Sequence, residues 1–424
     1  MNFIEELSWR GMIQDSTPGA KDALSKGGVS GYCGFDPSAS SLQVGNLAAI
    51  MMMMHFQRTG NKPFALVGGA TGIIGDPSGK SSERNLQTLE AVEHNLSCFK
   101  KQLSKFLDFS EGKYKAEIVN NYDWFSSINY LDFLRNVGKH LTIGYMMSKD
   151  SVRNRLETGI SYTEFSYQLL QAYDFYYLWK NKGITVQFGG SDQWGNITGG
   201  TELIRRMEGG EAHAITQPLV VRADGTKFGK SAEGQKLWLD PSLTSPYQFY
   251  QFWLNVDDVM CPRYLKVFTL LSQNEINEVI AEHKKAPHER AMQKMLAKEA
   301  TILVHSRFDY ETAAAVSEIL FENADEHALR SLSPEMFLSG FEGVPQRKIA
   351  MSDIMGKNIV DVAALAVELF PSRSEVRRYI EAISINKKKI ADEKFTFCES
   401  DLIHGKYILL QKGKKNYFVI EAVK

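Results

Sequence analysis

The sequence predicts an α/β protein: a parallel sheet covered by helices on both faces, then a helical stretch, then a small basic α+β module. Three observations carry this expectation. Through the first half of the chain, short apolar runs ending in turn residues alternate with helix-length segments, the pattern of strands joined by crossovers. From about residue 245 to 325 the apolar residues recur at three- and four-residue spacing instead. Residues 371–424 then hold 12 Lys and Arg against 7 Asp and Glu, a net +5 in a chain whose formal charge is −1. A basic end on an acidic body points to a polyanion partner for the tail.

The elements follow in order. Strands are expected at 29–35 (VSGYCGF), 64–67 (FALV), 116–120 (AEIVN), 184–189 (ITVQFG) and 218–221 (PLVV), with a helix over 45–59 between the first two. At 424 residues the chain is long enough for two or three domains. Periodicity is lost over 326–350, which reads as a connector. The tail offers a helical piece (SRSEVRRYIEA), a turn in SINKKKIAD, and strands KYILLQ and NYFVIEAV around KGKKN. Four scattered cysteines (Cys33, Cys98, Cys261, Cys398) without a CxxC argue against a zinc site and fit a reducing compartment. The N-terminal residues carry acids and no apolar signal core, and no apolar run reaches membrane-spanning length, so a cytoplasmic protein is expected.

In an open parallel sheet, ligands sit beyond the carboxyl ends of the strands. The chemically suggestive segments follow expected strand ends. SLQVGNL (41–47) opens a helix where an anion could bind, yet offers only the neutral amides of Gln43 and Asn46. GGATGIIGDPSGKS (68–81) is glycine-rich, but has three residues rather than four between Gly75 and Gly79-Lys80-Ser81, so it is not a Walker loop. It is either a tight turn or a close approach to a small ligand, with Asp76 facing an ammonium and Lys80 and Arg84 facing phosphate. In YTEFSYQLLQAYDF, Tyr167, Gln171 and Asp174 share one helix face. That is either a solvated face or a pocket for a hydrogen-bonding ligand. GGSDQWGN (189–196) puts a carboxylate where a ribose could be held. ADGTKFGKS (223–231) is a turn carrying Lys227 and Lys230.

KFGKS resembles Lys-Met-Ser-Lys-Ser, the second signature of class I aminoacyl-tRNA synthetases, and SLQVGNL stands in the place of the first, His-x-Gly-His. With YCGFDPSASSL, ALVGGATGIIGDPSGK, YDF and GGSDQWGNIT in the same order, the chain resembles the bacterial tyrosyl-tRNA synthetase family over nearly its whole length. The resemblance implies a Rossmann-like catalytic domain over 1–240, a helical anticodon-recognition domain over 241–325, a linker over 326–350 and a small RNA-binding domain over 351–424. It implies Tyr32 and Asp174 at the substrate phenol, Asp76, Tyr167 and Gln171 at its ammonium, and Gln193 near its carboxylate. The nucleotide side falls on Cys33, Asp36, Ser38, Gly45, Asn46, Gly190 and Asp192. Lys80, Arg84, Lys227, Lys230, Ser231 and Gln43 would surround the phosphates, and Arg205 and Arg206 the tRNA acceptor end. ATP with Mg²⁺ as a substrate, no tightly bound cofactor, no protein-held metal, L-tyrosine, tRNA(Tyr) and a homodimer are implied with it. A tryptophanyl-type enzyme, another nucleotidyltransferase on the same fold, and an RNA-binding relative without the chemistry are the competing readings. Tyr32 with Asp174 and the SDQWGN string favour tyrosine over tryptophan. The intact KFGKS disfavours lost chemistry.

Overall fold

The computed structural model describes the chain except residues 79–86, 154, 156–158, 227, 230–235, 322–325, 342–343, 368, 391, 414–415 and 424 and the side chains of 320, 321 and 365. It divides into two compact units, one of residues 1–244 with 252–304, the other of 245–251 with 305–424.

The first unit is built on a six-stranded sheet: β1 (Asp15–Ser16), β2 (Ser30–Phe35), β3 (Lys62–Val67), β4 (Glu117–Asn120), β5 (Val186–Gly190) and β6 (His213–Gln217). Their order in space is β1-β6-β5-β2-β3-β4. All neighbours are parallel except β1, which pairs antiparallel with β6 through Asp15–Thr216 and Ser16–Ile215. The chain builds β2, β3 and β4 outward on one side, then returns to lay β5 and β6 on the other. Strand order therefore reverses at β2 and β5, and their carboxyl ends form the crevice where such sheets bind ligands.

One face of the sheet is packed by Phe3, Phe56 and Phe188, whose ring centroids lie 4.8–5.7 Å apart in edge-to-face contacts. On the other face Tyr32 meets Phe175 of the helix Tyr162–Lys182 at 5.4 Å. Arg10, at the end of the first helix, is buried and donates to the carbonyls of Lys266, Thr269 and Leu271 at 2.6–3.0 Å. It thereby satisfies carbonyls around the C-terminal end of the helix Cys261–Phe268.

The fifth strand departs from expectation. It covers His213–Gln217 rather than 218–221, because Pro218 has no N–H to continue a ladder. The two-residue β1 was not foreseen at all.

In the second unit, the helices Arg307–Phe321, Glu326–Ser331 and Pro334–Gly340 precede a sheet of β7 (Gln346–Ala350), β8 (Ile383–Ile385), β9 (Lys388–Lys389), β10 (Tyr407–Lys412) and β11 (Asn416–Val423). Its order is β7-β11-β10-β8-β9, with β7 parallel to β11 and the other pairs antiparallel. Two helices and a strand thus lie in or across the stretch read as a connector. Asn386 and Lys387 turn between β8 and β9 with φ of 48° and 71°, the backbone of a two-residue hairpin turn. Ile359, Phe370, Val376, Ile383, Ile408 and Ile420 form part of this unit's separate core.

Candidate active site

The first signature sits where the loop after β2 enters the helix Val44–Arg58. Gln43 is extended (φ −109°, ψ 163°), and its backbone N–H donates to Asn46 Oδ1 at 2.9 Å. Asn46 N–H returns to the Gln43 carbonyl at 2.8 Å. The Asn46 side-chain oxygen is thus occupied inside the turn, which leaves its NH₂ as the group to offer a ligand. Gly45 is exposed, and a Cβ built there would meet nothing within 4 Å. The fold itself does not require glycine at this point.

The segment that follows the second signature, residues 237–239, is docked onto the first. Val44 N–H donates to the Leu237 carbonyl at 3.0 Å and Leu239 N–H to the Leu42 carbonyl at 2.9 Å, which sets Gln43 opposite Trp238 in an antiparallel bridge. Leu237 N–H reaches the Gly229 carbonyl at 3.1 Å. Phe228 anchors this segment, with its ring 4.7–5.6 Å from those of Phe252, Trp253, Tyr264 and Phe268. Lys80, Arg84, Lys227, Lys230 and Ser231 lie outside the described residues.

The other half of the crevice is a buried polar network. Asp174, 2% exposed, accepts from Trp124 Nε1 at 2.9 Å and from Asn121 Nδ2 at 3.1 Å. Burial pushes its carboxyl well above the usual range, while the two donors pull the other way. Asn121 also donates to Thr71 Oγ1 at 2.9 Å, and Thr71 to Asp36 Oδ1 at 2.8 Å. Tyr167 O–H donates to Asp36 Oδ2 at 2.8 Å. Glycine is required beside this pair, because a Cβ on Gly68 would collide with the Asp36 carboxylate and the Thr71 hydroxyl.

A second group centres on Asp76. Its carboxylate accepts from Gln193 Nε2 at 2.7 Å, from Ser78 N–H at 2.9 Å and from Asn196 Nδ2 at 3.4 Å. Gln171 Nε2 reaches Gln193 Oε1 at 3.5 Å. The structure therefore brings Asp76, Gln171 and Gln193 together as one group, and Tyr167 together with Asp36. Cys33 lies on the opposite face of β2 from Tyr32, and burial pushes its thiol up to about 12. Ser38 is exposed on the loop after β2, while Gly190 and Asp192 stand at the end of β5.

Several buried polar atoms in this half lack a hydrogen-bond partner: Tyr32 Oη, Gln168 Nε2, Gln171 Oε1, Gln187 Oε1 and Asn196 Oδ1. A buried polar atom left unpaired costs about 1–3 kcal/mol, so these atoms fit a polar ligand in the crevice. Sequence reasoning missed Asn121, Trp124, Gln187 and Asn196. Gln187 left one signal, a lone amide inside the apolar strand ITVQFGG. It pairs with Tyr32 across β2 and β5, so both side chains leave the same face.

Arg205 donates twice to Glu202 at 2.8 Å. Arg206 donates to the same carboxylate at 2.5 Å and to the His140 carbonyl at 2.8 Å. These bonds, led by those from Arg205, hold the Glu202 carboxyl down to about 2. Among the described residues, no cluster of three or more His, Cys, Asp or Glu is placed to hold a metal ion. No described helix is long and apolar enough to cross a membrane.

A first signature at the switch point of a parallel sheet, bridged to the segment after the second and set beside a pocket with unpaired polar atoms, defines the class. The chain belongs to the class I tRNA synthetases for tryptophan and tyrosine (W and Y), whose family model matches residues 25–322. Residues 337–420 match the C-terminal domain of tyrosine–tRNA ligases of the SYY-like type. The chain is 53% identical to the tyrosine–tRNA ligase of Bacteroides fragilis (strain YCH46), with the whole of both chains covered. It is 54% identical to that of Cytophaga hutchinsonii over 99% of each. A C-terminally truncated mitochondrial tyrosyl-tRNA synthetase of Aspergillus nidulans superposes with a TM-score of 0.68 at 30% identity, over 76% of this chain and 94% of that one.

Proposed function

We infer that this chain is a tyrosine–tRNA ligase. It joins the tyrosine carboxylate to the α-phosphorus of ATP, releasing pyrophosphate, and then passes the tyrosyl group to the 3′ end of tRNA(Tyr). The observation that carries the choice of tyrosine is the pairing of a buried, unpartnered Tyr32 hydroxyl with the buried Asp174 carboxylate at the sheet's switch point. A substrate phenol can donate to Asp174 and accept from Tyr32. A phenylalanine would leave the Tyr32 hydroxyl unpaired and give Asp174 no donor beyond Trp124 and Asn121, and an indole cannot satisfy both groups.

We assign the remaining roles by the same logic. Asp76 and Gln171 hold the α-ammonium, with Tyr167 beside them, and Gln193 lies near the carboxylate. Gly45, Gly190, Asp192, Asp36, Cys33 and Ser38 belong to the nucleotide side. The open space over Gly45 gives adenine a reason for glycine that the chain alone does not. Lys80, Arg84, Lys227, Lys230 and Ser231, with the amides of Gln43 and Asn46, surround the phosphates. No side-chain nucleophile is needed, since the tyrosine carboxylate attacks. Catalysis is orientation of the two substrates plus stabilisation of charge on the departing pyrophosphate. Mg²⁺ enters bound to ATP, held by phosphate oxygens.

The 1–240 region is assigned to catalysis, 241–325 to anticodon recognition, 326–350 to a link and the basic 351–424 module to RNA. Arg205 and Arg206, at the exposed end of the helix Trp194–Glu208, would meet the acceptor end of tRNA by exchanging Glu202 for phosphate. Tyr130, Leu131, Ile143 and Tyr162 are large side chains more than half exposed between β4 and β5, and they support a homodimer formed through that segment. The site of action is the cytoplasm.

The test is tyrosine-dependent exchange of pyrophosphate with ATP, followed by charging of tRNA(Tyr). Exchange with tyrosine and none with tryptophan is expected. Exchange with tryptophan, or with neither amino acid, overturns the reading.

A further inference from the structure

The first signature carries no charge in its opening turn, where Gln43, Val44, Gly45 and Asn46 are all neutral. The helix N-terminus that follows attracts an anion, but its partial charge is a weak substitute for a cation in contact. The strand laid against this turn supplies one.

The bridge between Gln43 and Trp238 fixes which side chains face the same way. The flanking bonds run from Val44 to Leu237 and from Leu239 to Leu42, which makes Gln43 and Trp238 a non-hydrogen-bonded pair with side chains in close apposition. Leu42, Val44, Leu237 and Leu239 are all buried and fill the core side of this ribbon. By alternation, Gln43, Trp238 and Lys236 leave by its other side. Trp238 is held there by its backbone, whose N–H donates to Thr244 Oγ1 at 3.0 Å. The Lys236 ammonium lies over the Trp238 ring, 5.3 Å from its centroid. Gly45 is already the second residue of the helix, so the ribbon ends at the Gln43–Trp238 bridge, and a Cβ on Gly45 would meet nothing within 4 Å. The indole keeps the cation on the side of Gln43, and the open space at Gly45 leaves the start of the helix accessible to a ligand.

We propose that Lys236 contacts the triphosphate of bound ATP, and the pyrophosphate as it departs, supplying beside the first signature the positive charge that Gln43 and Asn46 lack. The proposal rests on the tyrosine-activation reading above and adds a residue to it. No bond to Lys236 forms or breaks; its ammonium stabilises charge that accumulates as the bridging oxygen leaves the α-phosphorus.

The experiment measures tyrosine-dependent pyrophosphate exchange by the full chain and by Lys236→Met, which keeps an apolar stem over Trp238 without the charge, and Lys236→Arg, which keeps the charge. Loss of a charge-assisted contact should lower kcat in Lys236→Met by about tenfold or more, with the KM for tyrosine within about twofold of wild type. Lys236→Arg should keep most of the rate, and Gln43→His added to Lys236→Met should recover part of it. Exchange by Lys236→Met at the wild-type rate overturns the proposal alone. So does equal loss in Met and Arg variants, which would make the lysine stem a packing element. So does normal exchange with slowed transfer to tRNA, which would move the contact to the tRNA end. A wild-type chain without exchange overturns the underlying reading and the proposal with it.

Discussion

The two halves of the crevice are held by different kinds of bond. The pocket around Asp174 and Asp76 is knit by side chains to one another, through Trp124, Asn121, Thr71, Tyr167 and Gln193, fully buried at Asp174 and half-buried at Asp76. The signature half is held by backbone bonds between residues 42–44 and 237–239 and by apolar anchoring of Phe228, with its polar side chains turned outward. A side-chain network in low dielectric fixes geometry and penalises a ligand that fails to complete it, so that half is built for choosing the amino acid. A ribbon fixed by its backbone keeps its side chains available for charge that appears only in the transition state, so that half is built for rate.

The comparison is broken most sharply at Asp174. Asp174→Ala strands Trp124 and Asn121 as donors and removes the acceptor for the phenol, so kcat/KM for tyrosine in pyrophosphate exchange should fall by about 10²–10³-fold. A fall of less than tenfold would mean that the network is scaffolding. Phe228→Ala attacks the other half. Truncating a ring packed among four aromatics should destabilise the first unit by about 3 kcal/mol in denaturant unfolding. It should also lower the exchange rate with the KM for tyrosine little changed; a large rise in that KM would show the halves to be one mechanical unit.

Tyr32→Phe is a finer cut. It removes a hydroxyl that has no partner in the free chain, so stability should hold, while discrimination against phenylalanine should weaken by about 1–3 kcal/mol, read from the two kcat/KM values. The smallest expected effect concerns the root of the signature helix. His55 is buried, and desolvation lowers its imidazole from 6.5 to about 3, with Arg10 and Arg58 adding to the shift. The fold holds the neutral ring, whereas the unfolded chain takes a proton below pH 6.5. Stability from this group is therefore level above pH 6.5 and falls as pH drops toward 3, by about 2 kcal/mol at most by pH 5. His55→Met should flatten that part of the acid slope in unfolding measured at pH 7 and pH 5.

What was legible in the sequence follows the range of the signal. Tyr167, Gln171 and Asp174 could be placed on one face because helical spacing is local, and the sheet could be read because its strands are continuous apolar runs. The partners of Asp174 could not, since Asn121 and Trp124 are distant in sequence and their role appears only when β4 lies beside β3. Gln187 was hidden inside a strand that scores as apolar. Residues 218–221 look like a strand by composition, but Pro218 ends the ladder there, and β1 is too short for any periodicity. The whole-chain resemblance named the altered first signature, while the cross-strand partner of Gln43 required the bridge itself.

The pairing of β1 with β6 also sets an order of events. Asp15 and Ser16 leave the ribosome some two hundred residues ahead of their partners Thr216 and Ile215. Until then β1 has no edge to pair with, although Phe3 of the first helix can already meet Phe56. β1 is thus secured only with the last strand of this sheet, and synthesis interrupted before residue 217 leaves it without its full ladder.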